Sequence, residues 1–310
     1  MKTVFIDGSA GTTGLRIFER LSARSDLRLM TLPEEVRKDP AARKQALNSC
    51  DVAFLCLPDA ASMEAVSMIE NDHVTVLDTS TAHRTNPDWA YGFPELGEEY
   101  KAKVLSGKRI AVPGCHASGF IALVAPLVKS GILSPESRLT CHSITGYSGG
   151  GKKMIAEYEA DELDPLLTAP RQYALTQNHK HLKEMKAVCG LEHAPIFCPI
   201  VSDFYSGMVV TVPLFKEDLA EGKTAADIQA VYEAQYQGPM VTYRAQMDEG
   251  GLISGAGLSG KDTMEVTVCG NEDRILLIAR YDNLGKGASG AAVQCLNLVL
   301  GVEPTTGLEL

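Results

Sequence analysis

No apolar run in the chain approaches the ~20 residues that cross a membrane; its apolar strands are short pieces such as Val52 to Leu57 and Ile275 to Ala279. Eight cysteines, at positions 50, 56, 115, 141, 189, 198, 269 and 295, include no CxxC pair and form no dense framework. That scatter excludes a disulfide scaffold and a zinc site, and it suits reduced thiols in a cytoplasm. Positive charge is short too: 29 Lys and Arg against 39 Asp and Glu leave a net charge of −10. A phosphate-backbone partner needs a basic face, so nucleic acid is excluded. Internal repeats, linkers and low-complexity tracts are missing, and a strand that starts at once and reaches Asp7 is expected to leave no room for a signal peptide. With 310 residues, 45% apolar and 22% charged, the expectation is a cytoplasmic protein of two domains, or one core plus an inserted module.

What is present centres on Ala111-Val-Pro-Gly-Cys-His-Ala-Ser-Gly-Phe120. Pro113-Gly114 marks a tight turn, and the apolar stretch from Phe120 to Val128 reads as a buried helix. Cys115 therefore falls at or next to a helix N-terminus, where unpaired N–H groups and the positive end of the dipole favour a thiolate. A buried structural cysteine is the competing reading.

Upstream, the strand Lys2 to Ile6, the turn Gly8-Ser-Ala-Gly11-Thr12-Thr13-Gly14 and a helical stretch from Leu15 to Ala23 follow in the order of a dinucleotide-binding βαβ unit. The spacing is GxxGxxG, so the GxGxxG fingerprint is met only approximately. The second strand, Leu27 to Leu32, lacks the terminal acid that favours NAD; Arg37, Lys38 and Arg43 beyond it tilt the reading toward a 2′-phosphate and NADP, with solvated surface charge the alternative. Asp51 to Leu57 and Val74 to Asp78 are further strands. Thr79-Ser80-Thr-Ala-His83-Arg84 follows at the C-terminal edge, where open α/β sheets bind ligands and Arg84 is placed to clamp an anion. Ile110 to Val112 delivers Cys115 to the same edge.

The second half changes character. Strands at Ser137 to Ile144, Ile196 to Val201, Met208 to Leu214, Thr263 to Cys269 and Arg274 to Tyr281, with one helix at Ala225 to Tyr236, predict a mostly antiparallel sheet. Such a sheet has a face to cover, which points to a homo-oligomer. Gly146-Tyr-Ser-Gly-Gly-Gly151-Lys152-Lys153 nearly matches a Walker A loop but lacks the hydroxyl that would hold Mg²⁺, and a flexible active-site loop is the preferred reading. Ala288 to Gly301 is an apolar closing helix. His179-Lys-His181 places alternate histidines on one side of an extended segment. Three readings stay open there: metal ligation, which lacks its further ligands; surface histidines; or a general acid/base for Cys115.

Five stretches together resemble the N-acetyl-γ-glutamyl-phosphate reductase family, in the shorter of its two types and within the semialdehyde dehydrogenase superfamily. They are Gly8 to Gly14, Leu77 to Arg84 with Tyr91 to Leu96, Pro113 to Gly119, His179 to Glu184, and Asn283-Leu-Gly285-Lys-Gly-Ala-Ser-Gly290. Where the longer type has an aromatic after the nucleophile, this chain has His116. The resemblance implies an α/β fold: a Rossmann-like NADP-binding domain over residues 1–115 plus the C-terminal helix 288–302, and an α+β catalytic and oligomerisation domain over 116–287. It implies NADPH-dependent reduction of N-acetyl-γ-glutamyl phosphate to the semialdehyde in arginine biosynthesis, by a homodimer or homotetramer. By the same resemblance, Cys115 would form a thioester and His179 or His181 would move the proton. Arg84 would hold the phosphate, and Glu184 would orient a histidine or bind substrate. Gly8, Gly11, Thr12, Thr13, Gly14, Ser80, Asn283 and Gly285 would line the cofactor. A reductase for another acyl phosphate (aspartyl or aminoadipyl) and a non-catalytic NADP-binding regulator are the competing functions.

Overall fold

A computed structural model describes all of residues 1–310. The chain divides into two units, one of residues 1–94, 98–113 and 288–308, the other of 95–97, 114–287 and 309–310. No helix is long and apolar enough to cross a membrane.

The first unit is a six-stranded, wholly parallel sheet of β1 (Lys2–Asp7), β2 (Leu27–Met30), β3 (Val52–Leu55), β4 (Thr75–Asp78), β5 (Ala90–Tyr91) and β6 (Arg109–Ala111), in the order β2-β1-β3-β4-β6-β5. Its inner strands are buried on both faces, which is why β3 reads as a continuous apolar run. Strand residues alternate between two cores. Val4, Ile6, Phe54 and Leu77 meet Ile17 and Leu21 of α1 (Thr12–Ser22) and the apolar closing helix Gly290–Leu300. Phe5, Ala53, Leu55 and Val76 meet Leu47 of α2 (Pro40–Ser49) and Ala65 of α3 (Asp59–Ser67). A further helix, α4 (Glu98–Ser106), packs through Val104 into the first of these cores. The strand order reverses between β1 and β3, and the carboxyl ends of these two strands form the crevice that binds ligands in such sheets.

The second unit begins with α5 (Cys115–Lys129), apolar and buried nearly all round. Pro126 sits inside this helix, so Ala122 O loses its i+4 donor. The hydroxyl of Tyr236 replaces that donor at 2.6 Å, and Tyr232 O–H donates to Leu123 O beside it. The sheet of this unit comprises β7 (Thr140–Gly146), β8 (Arg171–Gln172), β9 (Ile196–Ser202), β10 (Met208–Phe215), β11 (Val241–Tyr243), β12 (Met264–Gly270) and β13 (Arg274–Tyr281), in the order β11-β12-β13-β10-β7-β9-β8. The β7–β9 and β11–β12 pairs are parallel and the other four antiparallel, so the sheet is mixed. Its inner face receives α5 and α8 (Ala225–Gln235), with α7 (His181–Cys189) packed on α5. On the outer face, Ile144, Ile196 and Leu276 stand exposed.

Gly146 to Lys153 is not a flexible loop: Tyr147–Gly150 is a 3-10 turn, and α6 (Gly151–Tyr158) follows it directly. His179 and His181 do not alternate along an extended strand either. His181 opens α7, and the two rings are brought together by the turn into that helix.

Candidate active site

Cys115 is the first residue of the fifteen-residue α5, behind a Gly114 cap that offers no side chain to the exposed N–H groups. The positive helix end therefore acts on a half-buried thiol. The first turn is fixed from two sides. Tyr281 O–H donates to Cys115 O while its oxygen accepts the Gly119 N–H at 3.0 Å, a site open only because position 119 has no Cβ, which would lie 2.6 Å from that oxygen. Glu184 of α7, almost fully buried, accepts the Gly114 N–H at 2.8 Å. Gly287 also lies close, since a Cβ there would come within 3.1 Å of the Cys115 Cβ.

Around this turn the same unit gathers three imidazoles. The His116 ring centroid is 5.9 Å from that of His179 and 5.7 Å from that of His181, and the last two are 4.7 Å apart. Phe197 closes the group at 5.2 Å from His116 and 5.1 Å from His179. Burial lowers the pKa of His116 to about 3 and that of His179 to about 4, so both are neutral near pH 7. His179 Nδ1 accepts the His181 backbone N–H at 3.2 Å, which puts its proton on Nε2 and occupies its basic lone pair. His181 shares α7 with Glu184, one turn earlier.

In the first unit, the three glycines have different reasons to be glycine. Gly8 has φ +86°, and a Cβ there would lie 2.3 Å from Cys56 O; at Gly14 it would lie 2.4 Å from Gly8 O. At Gly11, the cap of α1, a Cβ would meet nothing nearer than 3.5 Å. Gly8 and Gly14 thus close the turn, and Gly11 leaves an open approach to a helix start with no side-chain cap, where Thr12 and Thr13 supply the first N–H groups. This cradle fits a pyrophosphate.

Several expected site residues are also held by the protein itself. Arg43 does not face a 2′-phosphate: it is buried, pairing with Asp7 at 3.0 Å and Glu64 at 2.9 Å. Arg37 is bonded to Glu34 at the surface. Arg84 is buried as well, its Nε donating to Val112 O and its Nη2 to Thr79 O, both at 2.8 Å. The side-on edge of the guanidinium is thereby used to hold the ends of β4 and β6. Ser80 O–H donates to Asp78 at 2.7 Å and its oxygen accepts the Ala82 N–H. Asn283 is buried, accepting the Gly207 N–H at 2.8 Å and donating to Ser148 Oγ at 3.0 Å, and Gly285 is packed against Lys261 O.

The sequence reading missed several polar residues. Asp78 accepts from Ser62, Ser80 and His83, the last stacked on Trp89 at 4.0 Å. Lys286 is buried against Glu95 at 2.8 Å. Tyr173 bonds His116 Nε2 at 2.6 Å. Only Tyr173 had a usable signal, standing six residues before His179 in a polar stretch.

Residues 22–103 match the semialdehyde dehydrogenase NAD binding domain, and residues 115–283 match the semialdehyde dehydrogenase dimerisation domain. N-acetyl-gamma-glutamyl-phosphate reductases from Sinorhizobium medicae and Rhizobium etli are 45% and 47% identical over 304 residues, spanning 96% of this chain and 98% of each relative. The chain belongs to the N-acetyl-γ-glutamyl-phosphate reductase family. Solved structures of aspartate semialdehyde dehydrogenase share the fold of this reductase: that of Vibrio cholerae, complexed with ASA, at TM-score 0.71 and 18% identity over 97% of this chain and 98% of its own. That of Candida albicans, with NADP, has TM-score 0.65 and 15% identity, covering 97% and 99%.

Proposed function

We propose that Cys115 carries the family's reaction, the reduction of N-acetyl-γ-glutamyl phosphate to N-acetyl-L-glutamate 5-semialdehyde with release of phosphate, through a thioester on its sulfur, as a step of arginine biosynthesis. The observation that carries this reading is the placement of the thiol at the open N-terminus of α5, in a unit that also packs three imidazoles around that turn. The thiolate attacks the acyl-phosphate carbonyl, the carbon–oxygen bond to phosphate breaks, and the thioester remains. The Gly8–Gly14 turn and the start of α1 would hold NADP(H), which would supply the hydride for the reduction. A thiol suits both halves of the reaction, because it is nucleophilic near neutral pH and leaves readily from the thiohemiacetal.

His181 is the acid/base. Its neighbour His179 is a poorer choice, since its basic nitrogen already accepts the His181 N–H. Glu184 positions the turn by holding Gly114, and Arg84 fixes Val112, three residues ahead of the nucleophile. Ser80, Asn283 and Gly285, held by their neighbours, would line the cofactor. The match to a dimerisation domain and the apolar outer face of the second sheet support a homodimer. Eight free cysteines fit a reducing cytoplasm. Phosphate-dependent NADPH formation from N-acetylglutamate semialdehyde tests the reading: wild type supports it and Cys115→Ser does not. Near-wild-type turnover by Cys115→Ser contradicts it.

A further inference from the structure

His116 follows the nucleophile, yet its ring is almost fully buried between two hydroxyls, with Ser143 Oγ on Nδ1 and Tyr173 OH on Nε2, both at 2.6 Å. Ser143 is completely buried in β7, and this imidazole is the partner of its hydroxyl. A buried hydroxyl hydrogen is not left without an acceptor, so Ser143 donates and Nδ1 accepts. The neutral ring carries its one proton on the other nitrogen. Nε2–H therefore donates to the Tyr173 oxygen, and the phenol's own hydrogen is free to point elsewhere.

The groups around that hydrogen narrow its destination. His179, whose ring centroid is 6.2 Å from that of Tyr173, has its Nδ1 occupied by the His181 N–H and presents Nε2–H, a donor. Phe197 offers no acceptor. Tyr281 and Glu184 are committed to the backbone of Cys115 and Gly114. His181 and the Cys115 sulfur remain, and of the two it is the sulfur whose charge, after burial, pushes the Tyr173 pKa up.

We propose that the Tyr173 hydroxyl, aimed by Ser143 and His116, donates a hydrogen bond to the Cys115 sulfur and stabilises it as a thiolate. Tyr173 keeps its hydrogen throughout. The donor acts when the thiolate attacks and again when it leaves the thiohemiacetal. Ser143 and His116 are positioning residues: they fix which way the phenol hydrogen points. The inference rests on Cys115 as nucleophile and deepens that reading.

The test is the pH dependence of Cys115 alkylation by iodoacetamide on the full chain, with Cys115→Ser giving the background from the other thiols. Tyr173→Phe is expected to move the thiol titration upward and to slow alkylation at pH 7 by about tenfold or more. At a pH where the thiol is fully ionised its rate equals or exceeds wild type, which a merely structural role would not produce. Ser143→Ala removes the hydroxyl that fixes the ring tautomer, so the phenol hydrogen can turn to Nε2 in part of the population, and a smaller shift in the same direction is expected. An unchanged titration in folded Tyr173→Phe overturns the proposal. If that variant does not fold, an unchanged titration in Ser143→Ala does so. Turnover by Cys115→Ser would instead remove the underlying reading, and an inactive Cys115→Ser with unshifted titrations removes this inference alone.

Discussion

Glu184 Oε1 and the backbone N–H of Gly114 meet at 2.8 Å across 70 residues of sequence, and the bond is buried. It fixes the cap of α5, and with it the direction from which the Cys115 side chain leaves the chain. Glu184→Ala leaves that N–H unpaired in the interior, at a cost of about 1–3 kcal/mol. The expected outcome is a lower thermal midpoint by calorimetry together with a fall in kcat. Glu184→Gln keeps an acceptor oxygen and should recover most of the midpoint.

The glycine turn separates packing from ligand approach. Gly14→Ala drives a Cβ to 2.4 Å from Gly8 O, which is backbone and has nowhere to go, so a less stable protein is expected. Gly11→Ala meets nothing nearer than 3.5 Å, so it should fold with a wild-type midpoint. Its methyl group stands where the pyrophosphate would approach, and the KM for NADPH should rise by at least tenfold while the KM for the acyl phosphate changes little. Steady-state kinetics on both variants checks the distinction.

Burial holds His116 and His179 at pKa values of about 3 and about 4, below the 6.5 of an unfolded chain. Below pH 6.5 the unfolded chain therefore binds protons that the folded protein refuses. Stability is full above pH 6.5 and falls as the pH drops toward 4, by at most about 1.4 kcal/mol per pH unit for each such proton. Urea unfolding at pH 7.5 and 5.0 should show this loss, and His116→Gln should show less of it. An equal loss in the variant would assign the pH dependence to other groups.

The outer face of the second sheet carries Ile144 and Ile196 at 41% and 61% exposure, an apolar surface of the kind that marks an interface. Ile144→Glu with Ile196→Glu should shift the species seen by light scattering from dimer to monomer, with the monomer keeping its circular dichroism. A wild-type monomer would contradict the dimer.

Much of the fold was legible because its signals are local. Strand Val52–Leu55 announces burial on both faces by having no polar residue, and Pro113-Gly114 before an apolar stretch marks the start of α5. What was not legible depends on pairings far apart in sequence. Nothing near Arg43 says that its guanidinium meets Asp7 and Glu64, and nothing near Arg84 says that two carbonyls occupy it. The alternation of His179 and His181 suggested a strand, yet the apolar spacing of Leu182, Met185 and Cys189 buries one face of a helix. His116 gave no hint of its role, because its partners Ser143 and Tyr173 are 27 and 57 residues away.

In the proposed mechanism the sulfur of Cys115 is acylated before any hydride is delivered. Mixing the enzyme with N-acetyl-γ-glutamyl phosphate in the absence of NADPH, and following phosphate release and peptide mass together, tests it most directly. A burst of one phosphate per active site and an N-acetylglutamyl adduct on the peptide containing Cys115 are expected. Phosphate release that requires NADPH, with no adduct on that peptide, would contradict it.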